Sequence, residues 1–198
     1  GGIIDILRAK IYYAWGEEEE AEKIIRKVQE IGEKHGFSFQ KKSALLLLTQ
    51  LKIYREENVE FPRVEPDNKN EIYGLWNGVK ALYHLSRGET EQAKDILQKA
   101  VSYFLYAGRN TECALIGCDL IKLLSGEEKR YLQEMLLPYA SRIPIVHWKY
   151  LDLAGKREES EKLLEELSRE APDPQRFIEV QKRRWNFEKR LAGIQESA

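Results

Sequence analysis

Three glycines anchor a repeated pattern that constrains the fold of this chain more than any other feature. Large apolar residues stand twelve, nine and five positions before each glycine: Ile4, Leu7 and Ile11 before Gly16; Trp76, Val79 and Tyr83 before Gly88; Ile143, Val146 and Tyr150 before Gly155. This spacing places each trio on one side of an α-helix. Five positions after the glycines stand the small residues Ala21, Ala93 and Ser160. The pattern predicts antiparallel helical hairpins, in which glycine ends the first helix and the small residue lets the second helix approach closely.

A fourth, degenerate copy of the pattern is anchored on Gly126. The three apolar positions before it hold Ala114, Gly117 and Ile121. The long interval between Gly16 and Gly88 has room for one more hairpin, whose first helix would include Ala44–Leu51. Because a single hairpin cannot bury the apolar stripes of both its helices, we expect the hairpins to stack on one another.

Apolar periodicity between glycine, proline and charged residues predicts ten helices. They are expected near residues 3–15, 18–35, 39–57, 70–87, 90–107, 110–124, 127–137, 142–154, 157–170 and 174–192. Alternating β-branched runs and hairpin-turn dipeptides are nearly absent, so we expect an all-α protein. The segment Asn58–Asn70 contains Pro62 and Pro66 and is predicted to form a long irregular loop.

Two of the copies resemble the signature of the tetratricopeptide repeat family. The first reads Tyr12-Tyr13-Ala14-Trp15-Gly16 and then Glu19-Glu20-Ala21-Glu22, and the second contains Trp76, Val79, Tyr83, Gly88, Ala93, Leu97 and Ala100. Pro172 follows the third copy where repeats of that family often end. The chain departs from the strict 34-residue form, because its periods are irregular and one extra residue precedes each turn. Such looser repeats resemble those in regulatory domains of transcriptional activators and signalling ATPases.

The resemblance implies a right-handed α-solenoid of stacked antiparallel helical hairpins. We expect the repeat array to span residues 1–172, with the irregular loop at 58–70, and residues 173–198 to form a capping helix and tail. A terminal helix with one polar face is typical of the end of a repeat array. Phe177, Val180, Phe187 and Leu191 form the apolar stripe of this predicted helix.

The charge and cysteine content narrow the classes of partner. The chain carries 32 basic and 33 acidic residues, so its formal net charge of −1 does not favour nucleic acid or an anionic membrane as the main partner. No apolar run is long enough to cross a membrane, and no secretory signal is visible. Cys113 and Cys118 have the spacing of neither a zinc site nor a redox pair. We therefore expect a cytoplasmic protein with two reduced cysteines.

The sequence contains no motif that indicates catalysis. Its three histidines, His35, His84 and His147, lie far apart, and the phosphate-binding loop, the dinucleotide fingerprint and the nucleophile elbow are all missing. The carboxylates belong to charge-rich helix faces such as Glu17–Glu20, where the helix dipole favours negative charge. We therefore expect a non-enzymatic protein that requires no metal or other cofactor.

Polar residues flank the packing stripe of each first helix, eleven, eight and four positions before the glycines. Since first helices line the concave surface in tetratricopeptide proteins, the resemblance implies that these positions face a partner. Lys52 and Lys122 stand in similar positions on the intervening helices. The predicted partner-binding residues are Arg8, Tyr12, Lys52, Asn77, Lys80, His84, Lys122 and His147. The alternative is that they are ordinary solvated positions or form hydrogen bonds between repeats.

The predicted function is a scaffold that binds a protein or peptide through its concave face. The basic residues of that face favour an acidic peptide or a C-terminal carboxylate. One alternative is a ligand-sensing or regulatory domain of a larger transcriptional activator or signalling ATPase. Another is an RNA-associated repeat protein, favoured by the basic last helix around Arg183 and Arg184. The ends of the array could also mediate self-association.

Overall fold

Ten α-helices make up the regular structure of the computed structural model, which describes residues 2–69 and 71–194. No strand occurs among these residues, so the all-α expectation is confirmed for them. The helices are α1 (Gly2–Ala14), α2 (Glu18–His35), α3 (Ser38–Tyr54), α4 (Glu71–Ser86), α5 (Thr90–Tyr106), α6 (Asn110–Ile121), α7 (Gly126–Ala140), α8 (Pro144–Leu153), α9 (Arg157–Ser168) and α10 (Pro174–Leu191).

The predicted hairpin turns have the geometry that their glycines suggest. Gly16, Gly88 and Gly155 adopt φ angles of 86°, 75° and 80°, which lie in the left-handed region. Ala21 and Ala93 are fully buried where the second helix of their hairpin meets the first. In the third copy, the Ser160 hydroxyl occupies this position and donates a 2.6 Å hydrogen bond to the Trp148 carbonyl on α8.

Helices that are neighbours in the sequence pack against each other along the whole chain. Contacts also link helices that are two apart in the order, joining α1 to α3, α4 to α6 and α6 to α8. The main apolar cluster extends from α4 to α10, and a second cluster joins α1, α2 and α3. Each inner helix therefore has neighbours on both sides, as expected for stacked hairpins.

The hairpin expected after Gly16 has only one helix in the part of the chain that the structure describes. α3 provides that helix, and residues 55–69 follow it without helical structure. Val64 of this segment is buried, and it packs with Leu46 of α3 and Val79 of α4. Trp76 fixes the segment by donating a 2.7 Å hydrogen bond from Nε1 to the Val64 carbonyl. Pro62 and Pro66 restrict helix formation here, and α4 packs directly against α3.

The last helix, α10, contacts the first hairpin as well as its neighbour α9. The Gln181 amide donates a 2.6 Å hydrogen bond to the Ala14 carbonyl at the end of α1. The turn at Gly16 lies directly beneath α10, because a Cβ built on Gly16 would lie 3.1 Å from Val180. At about 27 Å, an 18-residue helix is long enough to reach several helices of the array.

Arg184 is the central contact between α10 and the first hairpin. Its Nη1 donates a 2.8 Å hydrogen bond to the Tyr13 carbonyl, and its Nη2 lies 2.7 Å from Glu18 Oε1. Its guanidinium carbon lies 3.7 Å from the centroid of the Tyr13 ring. Arg183 contacts the same Glu18 carboxylate at 3.0 Å but remains largely exposed. The Arg184 side chain is only 7% exposed, so its pairing is shielded from solvent.

The far end of α10 is held by α8. Asp152 Oδ2 accepts hydrogen bonds from Trp185 Nε1 at 2.7 Å and from Lys189 Nζ at 2.9 Å. Phe187 lies between Arg184 and Lys189 in the sequence, and it packs with Ile53 of α3 and Leu82 of α4. α10 therefore crosses the C-terminal parts of several first helices and joins the two ends of the array.

Among the described helices, none is long and apolar enough to span a membrane.

We predict that Arg184→Met destabilises the protein by about 3 kcal/mol, because it leaves a largely buried carboxylate without its main partner. The matched control is Arg183→Met, which removes an exposed contact to the same carboxylate and should cost about 0.5 kcal/mol. The measurement is the free energy of unfolding in urea. Equal losses in the two variants would contradict the assigned importance of the buried contact.

Candidate binding groove

A groove of about 400 Å³ is lined by residues of α1, α3, α4, α5, α6, α8 and α10. Its floor is α4, and its walls come from α1 and α3 on one side and from α6 and α8 on the other. α10 closes one end through Glu188. Apolar groups line most of the groove, including Leu75, Val79, Leu82, Leu85, Leu97, Ile116 and Val146.

Two residues of the α4 floor are glycines, which add no side chain to the groove. Gly74 and Gly78 are one helical turn apart, and both line the groove. A Cβ on Gly78 would lie 3.7 Å from Ile116 Cδ1 and 4.0 Å from Asp119 Oδ2, so the neighbouring wall is close but not in collision. A glycine inside a helix costs about 0.5–1 kcal/mol relative to alanine. At Gly78 this cost coincides with a space between α4 and α6 that a methyl group would fill, whereas a Cβ on Gly74 would lie 3.5 Å from Phe104 of α5.

A cluster of charged side chains forms the end of the groove beside α10. Lys122 Nζ lies 3.0 Å from Glu188 Oε1 and 3.5 Å from Asp119 Oδ1. Lys149 Nζ lies 3.9 Å from Glu188 Oε2, which is buried and accepts no hydrogen bond from the described residues. Lys122 and Glu188 are 1% and 7% exposed in their side chains, whereas Asp119 is 31% exposed. The cluster thus contains one partly buried carboxylate, that of Asp119, beside a buried ion pair.

The environment shifts the pKa values of this cluster in different directions. Burial raises the pKa of Asp119 above its ordinary value, and nearby Lys122 only partly offsets this effect. Burial would also raise the pKa of Glu188, but Lys122 and Lys149 outweigh it and the pKa of Glu188 is lowered. For Lys122, burial would lower the pKa, but Glu188 and Asp119 outweigh it and the pKa is raised. Lys122 and Glu188 therefore form a stable ion pair, while Asp119 takes up a proton more readily than an ordinary aspartate.

The two cysteines lie near the groove but are poor nucleophiles. Burial raises the pKa of Cys113 to about 11 and that of Cys118 to about 12. Both thiols are reduced and buried. Within the part of the chain that the structure describes, no group of three or more His, Cys, Asp or Glu residues is placed to hold a metal ion.

Of the eight residues predicted to bind a partner, Lys122 lines the groove, and its ammonium group is buried in the ion pair. Arg8 lies on the exposed side of α1 and pairs with Asp5 at 3.3 Å. Tyr12 contacts Trp15 edge to face with ring centroids 6.0 Å apart. Arg8 and Tyr12 are not among the groove residues.

The other five predicted residues also lie outside the groove lining. Asn77 is buried and donates a 2.7 Å hydrogen bond to the carbonyl one turn earlier on α4. The Lys80 ammonium lies 4.4 Å from a ring centroid of its own helix, and His84 Nδ1 lies 3.2 Å from a glutamate in the following turn. Lys52 and His147 are half-buried on α3 and α8. As partner-binding residues, all five stay predictions.

Some residues that line the groove share a repeat position that was not among the predicted binding positions. Lys10 and Lys149, which line it, each stand six residues before a turn glycine. In the second copy, the same position holds Leu82, which forms part of the floor. The repeat register could therefore have identified this face. The repeat register does not identify Asp119 or Glu188 in this way. Glu188 lies on α10, which reaches the groove from a distant part of the sequence.

Neither a protein-family model, nor a curated protein, nor a solved structure matches this chain.

We predict opposite effects of alanine at two helical glycines. Gly117→Ala should destabilise the protein by about 1–3 kcal/mol, because its Cβ would overlap the buried Leu136 side chain and lie 3.2 Å from Tyr150 Oη. Gly78→Ala should stabilise it by about 0.5–1 kcal/mol, because the added methyl meets only ordinary contacts and favours the helix. Thermal and urea unfolding measure both, and a loss at Gly78 would contradict the open space assigned there.

We also predict opposite pH dependences for the two carboxyl groups of the cluster. Because the pKa of Glu188 is lowered on folding, the stability that wild type has over Glu188→Gln should shrink as the pH falls through the range below 4.5. Because the pKa of Asp119 is raised, the stability of wild type relative to Asp119→Asn should instead increase as the pH falls from neutrality. Urea unfolding of all three proteins across the acid range measures this. Slopes of the same sign would refute the assignment.

Proposed function

We propose that this chain is a non-enzymatic binding module of the tetratricopeptide-like, right-handed solenoid type, which holds a short segment of a partner protein in its groove. The observation that carries the proposal is the groove itself, with its apolar lining and charged end. Small-ligand and peptide sites share this design, in which apolar surface supplies affinity and a few polar groups fix orientation.

The charges of the groove narrow the choice of segment. The lining contains Lys10, Lys122 and Lys149 together with Glu112, Asp119 and Glu188, so basic and acidic groups are equal in number. This balance differs from the mildly basic face predicted from the sequence, which favours an acidic peptide and stays a prediction. A mainly apolar segment with both donor and acceptor groups matches a wall of mixed charge better than a strongly acidic one does.

A second candidate function is the sensing of a small molecule by a regulatory domain. The volume of about 400 Å³ favours it, since typical small-molecule pockets range over roughly 300–1,000 Å³. Polar groups also converge at one end of the groove. A compound that raises the melting temperature of wild type but not of a groove-filled variant would favour this candidate.

The contacts of α10 argue against the RNA-associated alternative. Each of its six basic residues contacts an acidic side chain or an aromatic ring of the same chain. Arg183, for example, pairs with Glu18 and Lys182 with Glu161. These cations are partly or fully occupied within the fold, so the basic composition of the helix is explained without a nucleic-acid partner.

We predict that Gly78→Leu weakens binding through the groove, because the added side chain would extend from the floor towards Ile116 and Asp119. Peptides selected from a random phage-displayed library against wild type should bind the variant at least about tenfold more weakly. Gly78→Ala is the matched control, and it should retain most of the binding because its methyl group is small. Circular dichroism would check that both variants keep their helical content.

Two outcomes separate this proposal from its rivals. Selected peptides that bind Gly78→Leu as well as wild type would contradict binding in the groove. If the same peptides lose binding on charge reversal of Arg8 or Lys80 instead, the binding face is the one predicted from the sequence.

A further inference from the structure

One face of α1 exposes a continuous stripe of large apolar side chains. Ile3, Ile4, Leu7 and Ile11 are 56%, 61%, 55% and 47% exposed. Their spacing places them along one side of the helix. The opposite side of α1 carries the buried Ile6 and packs against α2 and α3. The stripe is therefore additional to the apolar surface that α1 uses within its own hairpin.

The equivalent positions are fully or partly buried in the second and third copies of the repeat. Leu7 corresponds to Val79 and Val146, which are 0% and 5% exposed, and Ile11 corresponds in the third copy to Tyr150, which is 1% exposed. The same stripe is thus largely exposed on α1, whereas on α4 and α8 it is buried at these three positions and partly buried at Trp76, Tyr83 and Ile143.

The preceding unit provides the cover in each inner copy. Before α4, α3 and the segment 55–69 bury Val79. Before α8, the Gln133 amide of α7 donates to the Tyr150 carbonyl at 3.5 Å, and the Tyr150 hydroxyl donates to the Ala114 carbonyl of α6 at 2.8 Å. The stripe on α1 continues this series of interfaces but has no such cover among the described residues.

The other end of the array is different. α10 packs on α9, and none of the large hydrophobic residues that are exposed in the described structure lies between residues 138 and 194. A second copy stacked head to tail would therefore bring a polar surface, with the exposed Arg176 and Lys182, against an apolar stripe. Polar groups buried without partners are costly, so this arrangement is disfavoured.

We propose that the α1 stripe docks an amphipathic helix of another helical hairpin, which packs on α1 as α7 packs on α8. The partner helix must carry an apolar stripe with the spacing found on α7, where Leu132, Leu136 and Ala140 are buried. This docking surface is separate from the groove, and it does not depend on the proposed function of the groove.

A synthetic fluorescein-labelled peptide with the sequence of α7, residues 126–140, is the probe for this surface. Fluorescence anisotropy with the full chain should give saturable binding, and Leu7→Glu should weaken it at least about tenfold. Ile4→Glu is the second variant and should act in the same direction. The matched control is Tyr131→Glu, which changes an exposed large side chain on α7 of the full chain and should alter the affinity less than about twofold.

Three outcomes would overturn the inference. The first is a lack of saturable binding by wild type, and the second is equal binding by wild type and Leu7→Glu. The third is concentration-dependent dimerisation of wild type in sedimentation that Leu7→Glu abolishes, since this would assign the stripe to a second copy. Because both substituted residues are exposed, melting temperatures close to that of wild type are expected and would exclude misfolding as the cause.

Discussion

The arrangement of this array depends on the contacts that hold α10 across the C-terminal parts of the first helices. Buried ion pairs contribute little net stability compared with apolar residues of the same shape, because both charges lose hydration. Removing one member of such a pair is costly, however, and the Arg184–Glu18 and Lys122–Glu188 pairs leave few alternative positions for α10. The apolar contacts of Phe187 supply attraction, and the charged contacts select the position of the helix.

The placement of α10 also determines which part of the groove stays open. Its Glu188 closes the groove and brings a buried charge to that end, where Lys122 and Lys149 hold the carboxylate in its ionised form. The open part lies over α4, where Gly78 adds no side chain to the floor. A helix at the end of the chain thus contributes to the chemistry of a site formed mainly by earlier helices.

Local features of the fold could be predicted from the sequence because local spacing encodes them. The left-handed turn at Gly16 and the buried Ala93 follow from rules that apply within a single hairpin. The missing second helix after α3 was harder to predict, since Pro62 and Pro66 indicated a loop but not that this loop would cover α4. The groove depends on α10 meeting helices far away in the chain, and no periodic pattern records such a contact. The position six residues before the turn glycines marks residues that line the groove, but the resemblance to tetratricopeptide repeats implied a different face as the binding surface.

The contacts of α10 have a consequence for how the molecule loses its structure. A linear stack of hairpins can open one unit at a time from either end, because each unit contacts only its neighbours. Here the largely buried Arg184–Glu18 pair joins residues 166 positions apart, so the first hairpin and the last helix hold each other in place. Fraying at one end would also remove contacts at the other. A chain tied in this way is expected to unfold in one concerted step rather than by successive peeling.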